Sequence, residues 1–145
     1  RLLEDRLRHA LLLIDLDGFK KINDGHGHDA GDHVLAEIGR RLVACVRATD
    51  TVSRIGGDEF VVLLDDPVPP DEVDRIAHAL VAAVSRPVAY GGHPLQVGAS
   101  VGISVAPQDS VDAEALMRCA DEAMYRAKQS GRGAWRRYAD GDPAP

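Results

Sequence analysis

The sequence predicts an α/β sandwich, with helices packed on a mixed sheet, from three observations. Leu11 to Leu16 is an apolar run broken only by Asp15, the character of a buried strand. Ala99 to Ala106 alternates with period two, as a central strand does. Amphipathic helical stripes lie between such runs, and two runs are joined through Gly56-Gly57, a tight-hairpin signal. With 145 residues, 45% hydrophobic and 28% charged, the chain makes one domain with room for a core.

Arg1 to Ala10 has helix-forming composition, with Leu3 and Leu7 on one face. It meets the Leu11–Leu16 strand without a Gly, Pro or Asn, an awkward junction that points to residues missing between Ala10 and Leu11. Asp17 to His33, rich in Gly, Asp, Asn and His, reads as a functional loop with a short helix around Phe19 to Asn23. Val34, Leu35, Ile38, Leu42 and Val46 form the stripe of a helix over Gly31 to Val46. Strands over Asp50–Ile55 and Phe60–Leu64 flank the hairpin, whose glycines are expected to take backbone conformations that other residues resist.

Asp71 is the expected cap of a helix to Val84, stopped by Pro87. Val88–Tyr90 and Pro94–Val97 flank Gly91-Gly92 as a second, smaller hairpin. Asp109-Ser110 caps a helix to Ser130, and Ala134 to Tyr138 makes a last strand. Residues 1–138 are the expected domain, and Ala139–Pro145 a flexible tail or linker.

The net charge of −6 argues against a general nucleic-acid or anionic-membrane binder. Cys45 and Cys119 lie in apolar helical patterns without metal-type spacing, so buried free thiols in a reducing compartment are expected. No run reaches the roughly 18 apolar residues of a membrane span, and no signal peptide is present. The expectation is a cytoplasmic chain, or the cytosolic part of something longer.

Two acidic spots carry chemistry. Asp58 and Glu59, paired on the hairpin, can hold a hard cation such as Mg²⁺, with a polar turn of solvated acids as the even alternative. Asp15 sits among apolar neighbours near a buried strand end, where a carboxylate is costly unless paired or bound to metal. Gly18, Phe19 and Lys20 can turn backbone amides toward phosphates, with Lys20 as the point charge. Asp17 reads as the N-cap of the helix that follows.

Around Asn23 to His33, three histidines and several acids evoke a transition-metal site, but their spacing matches no common zinc pattern. Asp32 is either a helix cap or a base reader. A carboxylate accepts from the N1–H and exocyclic amine of guanine, while the Asn23 amide meets the acceptor edge. Lys128 and Arg132, four apart at a helix end, complement the helix dipole or bind phosphate. Arg47 and Asp50 alone read as a surface ion pair of little energetic weight.

These motifs share one family's order and spacing: Asp15-x-Asp-x-Phe-Lys20-x-x-Asn23, Gly27-His28-x-x-Gly31-Asp32 and Arg54-x-Gly-Gly-Asp-Glu-Phe60, then Ser100-x-Gly-Ile-Ser104 and Ala120-Asp-x-Ala-Met-Tyr-x-Ala-Lys128-x-x-Gly-Arg132. The chain resembles the GGDEF family, the diguanylate cyclases, over nearly its whole length. The resemblance implies a palm-like, nucleotidyl-cyclase-type fold that turns two GTP into cyclic di-GMP and two pyrophosphates. It implies Mg²⁺ or Mn²⁺, two per GTP half-site, on Asp15, the Leu16 carbonyl, Asp58 and Glu59.

By the same resemblance Glu59, Asp58 and Lys20 are catalytic. Asn23 and Asp32 read guanine, with His28 and Phe19 lining the substrate site. Gly56 and Gly57 make room for the nucleotide, and Lys128 and Arg132 bind its terminal phosphates. Arg47 and Asp50 match the family's Arg-x-x-Asp inhibitory site for cyclic di-GMP, with Arg75 as a second arginine.

One GTP per domain implies a homodimer, and an upstream sensor domain is expected to control it. The rival reading is a catalytically silent GGDEF module that binds GTP or cyclic di-GMP and regulates an attached phosphodiesterase (EAL) domain. The family's usual Leu-Thr-Gly-Leu-x-Asn-Arg opening is missing, so the domain is expected to be N-terminally truncated. His26 stands where an aromatic is common, and Gly133 where Asn is common.

Overall fold

The computed structural model describes residues 9–65 and 68–141. The chain runs β1 (His9–Asp17), α1 (Phe19–His26), α2 (His28–Ala44), β2 (Thr51–Arg54), β3 (Glu59–Leu64) and α3 (Pro70–Ser85). It continues through β4 (Val88–Tyr90), β5 (His93–Leu95), β6 (Gly98–Ala106), α4 (Ala113–Gln129) and β7 (Trp135–Arg137) to a 3₁₀ turn at Tyr138–Asp140. Five strands form one sheet in the order β2-β3-β1-β6-β7. It is antiparallel except for the parallel β6–β7 pair, the mixed sheet that the sequence predicts.

Side chains of a strand alternate between faces, and both faces of β1 are covered. Leu12, Ile14 and Leu16 join the larger core with Phe19 and Ile22 of α1, Val34 and Ile38 of α2, and Ile76 and Leu80 of α3. Leu11 and Leu13 face the other way, against Ala120 and Met124 of α4. That is why Leu11 to Ile14 reads as an unbroken apolar run. Asp15 follows the parity of Leu11 and Leu13, onto the α4 side.

On the same side, β6 presents Ser100, Gly102 and Ser104, opposite Asp15, Leu13 and Leu11. These small residues let α4 lie close to the sheet. A Cβ at Gly102 would fall on the backbone of Ala120 and Met124. Ser104 is fully buried and donates to the Leu116 carbonyl at 2.8 Å.

Several expectations are corrected. His9 and Ala10 belong to β1, where Ala10 pairs with Leu64 and Val105, so no helix reaches Ala10. Ladder pairing on two sides overrides helix propensity there. Ala10 and Leu11 both lie within β1, so the helix-to-strand junction expected between them is not there, and the rest of the expected first helix lies outside the described residues.

The short helix expected around Phe19 to Asn23 is α1, which runs on to His26, and α2 already starts at His28, so most of the stretch expected to be loop is helical. Phe19 and Ile22 anchor α1 in the core and Ala30 anchors α2, so packing wins over loop-like composition. Gly27, at φ 92°, breaks them apart. Asp32 is therefore interior to α2 and caps nothing. Asp17 is no cap either, because Gly18 takes the N-cap position of α1 in the left-handed region.

The expected cap Asp71 lies inside α3, which starts at Pro70, where the fixed φ of proline suits the first helical position. The true cap of α4 is Asp112, accepting from the Ala115 amide at 3.0 Å. Asp109 instead takes the Val105 amide at 2.7 Å. The second hairpin holds, with Gly91 and Gly92 at φ 53° and 81°, the paired positive values that a mirror-image turn requires. Ala139 and Asp140, assigned to the tail, sit in the 3₁₀ turn after β7. Both cysteines are free but only half-buried.

Candidate active site

Antiparallel pairing brings the two acidic motifs together. In the β1–β3 register Asp15 stands directly opposite Glu59, and the Leu16 amide donates to the Asp58 carbonyl at 3.0 Å. A strand residue turns its N–H and C=O to the same edge, so the Leu16 carbonyl also faces this turn. Glu59 is the first ladder residue of β3 rather than part of the turn, and its position is therefore set by sheet register.

Burial, then the nearby Asp15 charge, raises the Asp58 carboxyl, with Lys128 acting the other way. Burial, Asp15, Asp58 and Asp121 raise Glu59, and Lys128 again lowers it. Four carboxylates, from β1, the β2–β3 turn, β3 and α4, thus share one electrostatic neighbourhood.

The donor set is all oxygen, which suits a hard cation such as Mg²⁺ or Mn²⁺ and not a thiolate or imidazole metal. Its members are not drawn tight. Among the described residues, no group of three or more His, Cys, Asp or Glu is close enough to hold a metal ion. Lys128 of α4 lies between them, its ammonium bonded to Asp15 Oδ2. His33, one of the three histidines whose spacing matches no zinc pattern, meets the Ala89 carbonyl through Nε2 at 3.0 Å, and its ring packs on Tyr90.

The glycines of the turn behave differently from the expectation. Neither Gly56 nor Gly57 is among the residues of positive φ, so conformational freedom is not their reason. What they leave is space. No heavy atom lies within 4 Å of a Cβ at Gly57, while one at Gly56 would touch Glu59 Oε1 at 3.6 Å. Arg54 Nη1 closes the turn by donating to the carbonyls of Gly56 and Gly57 at 3.2 and 3.0 Å.

Lys20 is exposed on the first turn of α1, while Phe19 is buried in the core. The Asn23 side chain occupies the space that a Cβ at Gly31 would take, so it packs on the facing helix one residue before Asp32. Asp32 borders an open groove of about 370 Å³ with Leu35, Ala36, Gly39, Arg54 and Phe60. His28 is exposed at the start of α2. A larger cavity, about 830 Å³, lies along α4 and meets the acidic site only at Asp121 and Lys128.

Sequence reasoning missed the role of Asp17. Its carboxylate accepts the fully buried Ser100 hydroxyl at 2.9 Å, Arg132 Nη1 at 3.2 Å and the Gly133 amide at 3.1 Å. A serine in a strand otherwise lined by small and apolar residues was the available signal. The loop so held has three successive residues of positive φ: Gly131, Arg132 and Gly133.

Away from the acids, Arg47 and Asp50 form a two-pronged fork at 3.1 and 3.2 Å, closed by the Arg47 amide on Asp50 Oδ2. The Asp50 side chain is fully buried, so this is more than a loose surface pair. Arg75 bonds Glu72 on α3, and Arg47 also helps to hold Glu72 below the usual carboxylate range. Arg47 and Arg75 therefore share one neighbourhood.

A family profile described as diguanylate cyclase, GGDEF domain, matches residues 1–134. The chain belongs to the GGDEF domain family. It is 48% identical over 128 residues to the response regulator PleD of Caulobacter vibrioides, covering 86% of this chain and 28% of PleD. It is 44% identical over 133 residues to the bifunctional diguanylate cyclase/cyclic di-GMP phosphodiesterase MucR of Pseudomonas aeruginosa, covering 92% of this chain and 19% of MucR. The chain thus spans less than a third of these relatives.

Among solved structures it resembles the GGDEF domain of TpbB (YfiN) from Pseudomonas aeruginosa, with a TM-score of 0.86 and 40% identity over 90% of this chain and 81% of that one. This GGDEF domain therefore has the fold of its cyclase relatives. Among the described residues, no helix is long and apolar enough to cross a membrane.

Proposed function

We propose that this GGDEF domain is an active diguanylate cyclase, condensing two GTP into cyclic di-GMP and two pyrophosphates. The observation that carries the proposal is the Asp15–Glu59 register pair, with Asp58 and Lys128 beside it and open space at Gly57. In each half-reaction a 3′-hydroxyl oxygen forms a bond to an α-phosphorus as the bond to pyrophosphate breaks. Mg²⁺ or Mn²⁺, when bound, would neutralise the attacking and leaving oxygens.

Asp15, Asp58, Glu59 and the Leu16 carbonyl are the proposed holders of that charge. Glu59, raised by burial and three neighbouring acids against the opposing Lys128, is a stronger proton acceptor than an ordinary carboxylate and would take the hydroxyl proton. Lys20 would balance charge on the phosphates, and Lys128 and Arg132 would meet their terminal end. Asn23 and Asp32, on facing helices, would read guanine, with Phe19 supporting and His28 lining that side. Adenine lacks the donor pair that Asp32 would accept, so a bound adenine would leave that carboxylate, exposed in the free chain, covered and unpaired.

One domain would hold one GTP, so two copies must face each other across a two-fold axis. An attached sensor domain is the proposed control of that pairing, in the cytoplasm where GTP is available. Arg47, Asp50 and Arg75 form the proposed product site, and product bound there would hold the two copies apart.

The test is incubation of the chain, fused to a dimerising helix, with GTP and Mg²⁺, followed by measurement of cyclic di-GMP. Product should appear, be abolished by Glu59→Gln, and accumulate further with Arg47→Ala. GTP binding without any product would reject the cyclase and favour the silent regulatory module.

A further inference from the structure

Both cations proposed to meet the terminal phosphates are already held by acids of β1. Lys128 is bonded to Asp15, and Arg132 to Asp17 at 3.2 Å. The two pairs differ in kind. Arg132 is more than half exposed and shares Asp17 with Ser100 and the Gly133 amide, so Asp17 keeps two partners when Arg132 moves. Among the described residues Asp15 has no second side-chain partner, and its side chain is only 14% exposed. A buried carboxylate stripped of its cation is strongly destabilised. Lys128 can therefore leave Asp15 only as another cation arrives.

The geometry points to Lys128 as an internal competitor of the divalent cation for Asp15, exchanged onto the nucleotide's phosphates as the cation enters. This rests on the proposed reading of the site as a metal–GTP site. A bare cation must displace the lysine into water, where it finds no partner. A cation carrying a polyphosphate brings the lysine's new partner with it. Binding of cation and phosphate is then positively coupled through one residue. Lys128 is suited to this because an ammonium on a flexible stem can swing between two oxygen partners, as a guanidinium fork cannot.

The test titrates the 145-residue chain with Mn²⁺ alone by calorimetry, then with Mn²⁺–tripolyphosphate. Lys128→Met should bind bare Mn²⁺ about tenfold more tightly than wild type, yet bind Mn²⁺–tripolyphosphate more weakly. A merely structural lesion would weaken both. Lys128→Gln repeats the test should Lys128→Met fail to fold. Arg132→Met removes a like charge from the loop just after α4 and should leave bare Mn²⁺ binding near wild type.

The proposal is overturned if Lys128→Met leaves Mn²⁺ affinity unchanged or lowers it, or if Arg132→Met raises it equally. The opposite-sign pattern in a chain that makes no cyclic di-GMP would keep the exchange and reject the cyclase. Product formation without any gain of Mn²⁺ affinity would keep the cyclase and reject the exchange.

Discussion

Asp17 and Asp74 show how much a single carboxylate depends on its partners. Asp17 collects a buried serine, an arginine and a backbone amide, and so ties β1 to the loop after α4. Asp17→Ala should cost about 2 kcal/mol in chemical denaturation, because the Ser100 hydroxyl is left buried and unpaired. Asp74 is the opposite case. Its Oδ1 is buried without a hydrogen-bond partner among the described residues, and Arg137 reaches Oδ2 at 3.5 Å.

Burial raises the Asp74 carboxyl above its ordinary value of 3.8, and Arg137 offsets this only in part. A raised native value means that the folded state holds the proton more tightly than the unfolded chain. The ionised group then opposes folding at neutral pH, and that penalty fades as pH falls through its titration toward 3.8. Asp74→Ala should therefore be more stable than wild type at pH 7, by about 1 kcal/mol, with the gain shrinking on acidification. Glu37 and Glu72, pulled down by neighbouring arginines, act in the other direction. They are present in both proteins and cancel in a comparison of melting curves.

At the scale of elements, α4 decides where the catalytic face lies. It can approach β6 because Gly102 offers no side chain, and it carries Lys128 and Asp121 toward the acids of β1 and β3. Gly102→Val would drive a branched side chain into the backbone of Ala120 and Met124. The expected loss is about 3 kcal/mol or a failure to fold, read by thermal melting. The α1–α2 pair is the other positioning device. Its junction at Gly27 and its close approach at Gly31 seat Asn23 against α2, one residue before Asp32. Composition pointed to a loop there because Gly, Asp, Asn and His favour loops locally, while the helices are held by Phe19, Ile22, Ala30 and Val34 against the sheet.

For the whole molecule, the proposed half-site is incomplete in one copy. Specific activity should rise with protein concentration for the chain alone and become nearly independent of concentration once two copies are tethered. A dilution series of both proteins, followed by cyclic di-GMP formation, checks this. Activity that is constant per chain at every dilution of the untethered protein would reject a two-copy reaction at micromolar association.

The sequence by itself determined the strands of the sheet, the smaller hairpin, four of the helices in outline, the family and the candidate residues. Strand period, turn residues and motif spacing are local properties and are written along the chain. Only the tertiary structure decided that Asp15 faces Glu59, that Lys128 lies on Asp15, and that Asp17 anchors the last loop instead of capping α1. Those contacts join residues far apart in sequence, and they exist because strand register and the close packing of α4 on Gly102 bring them together.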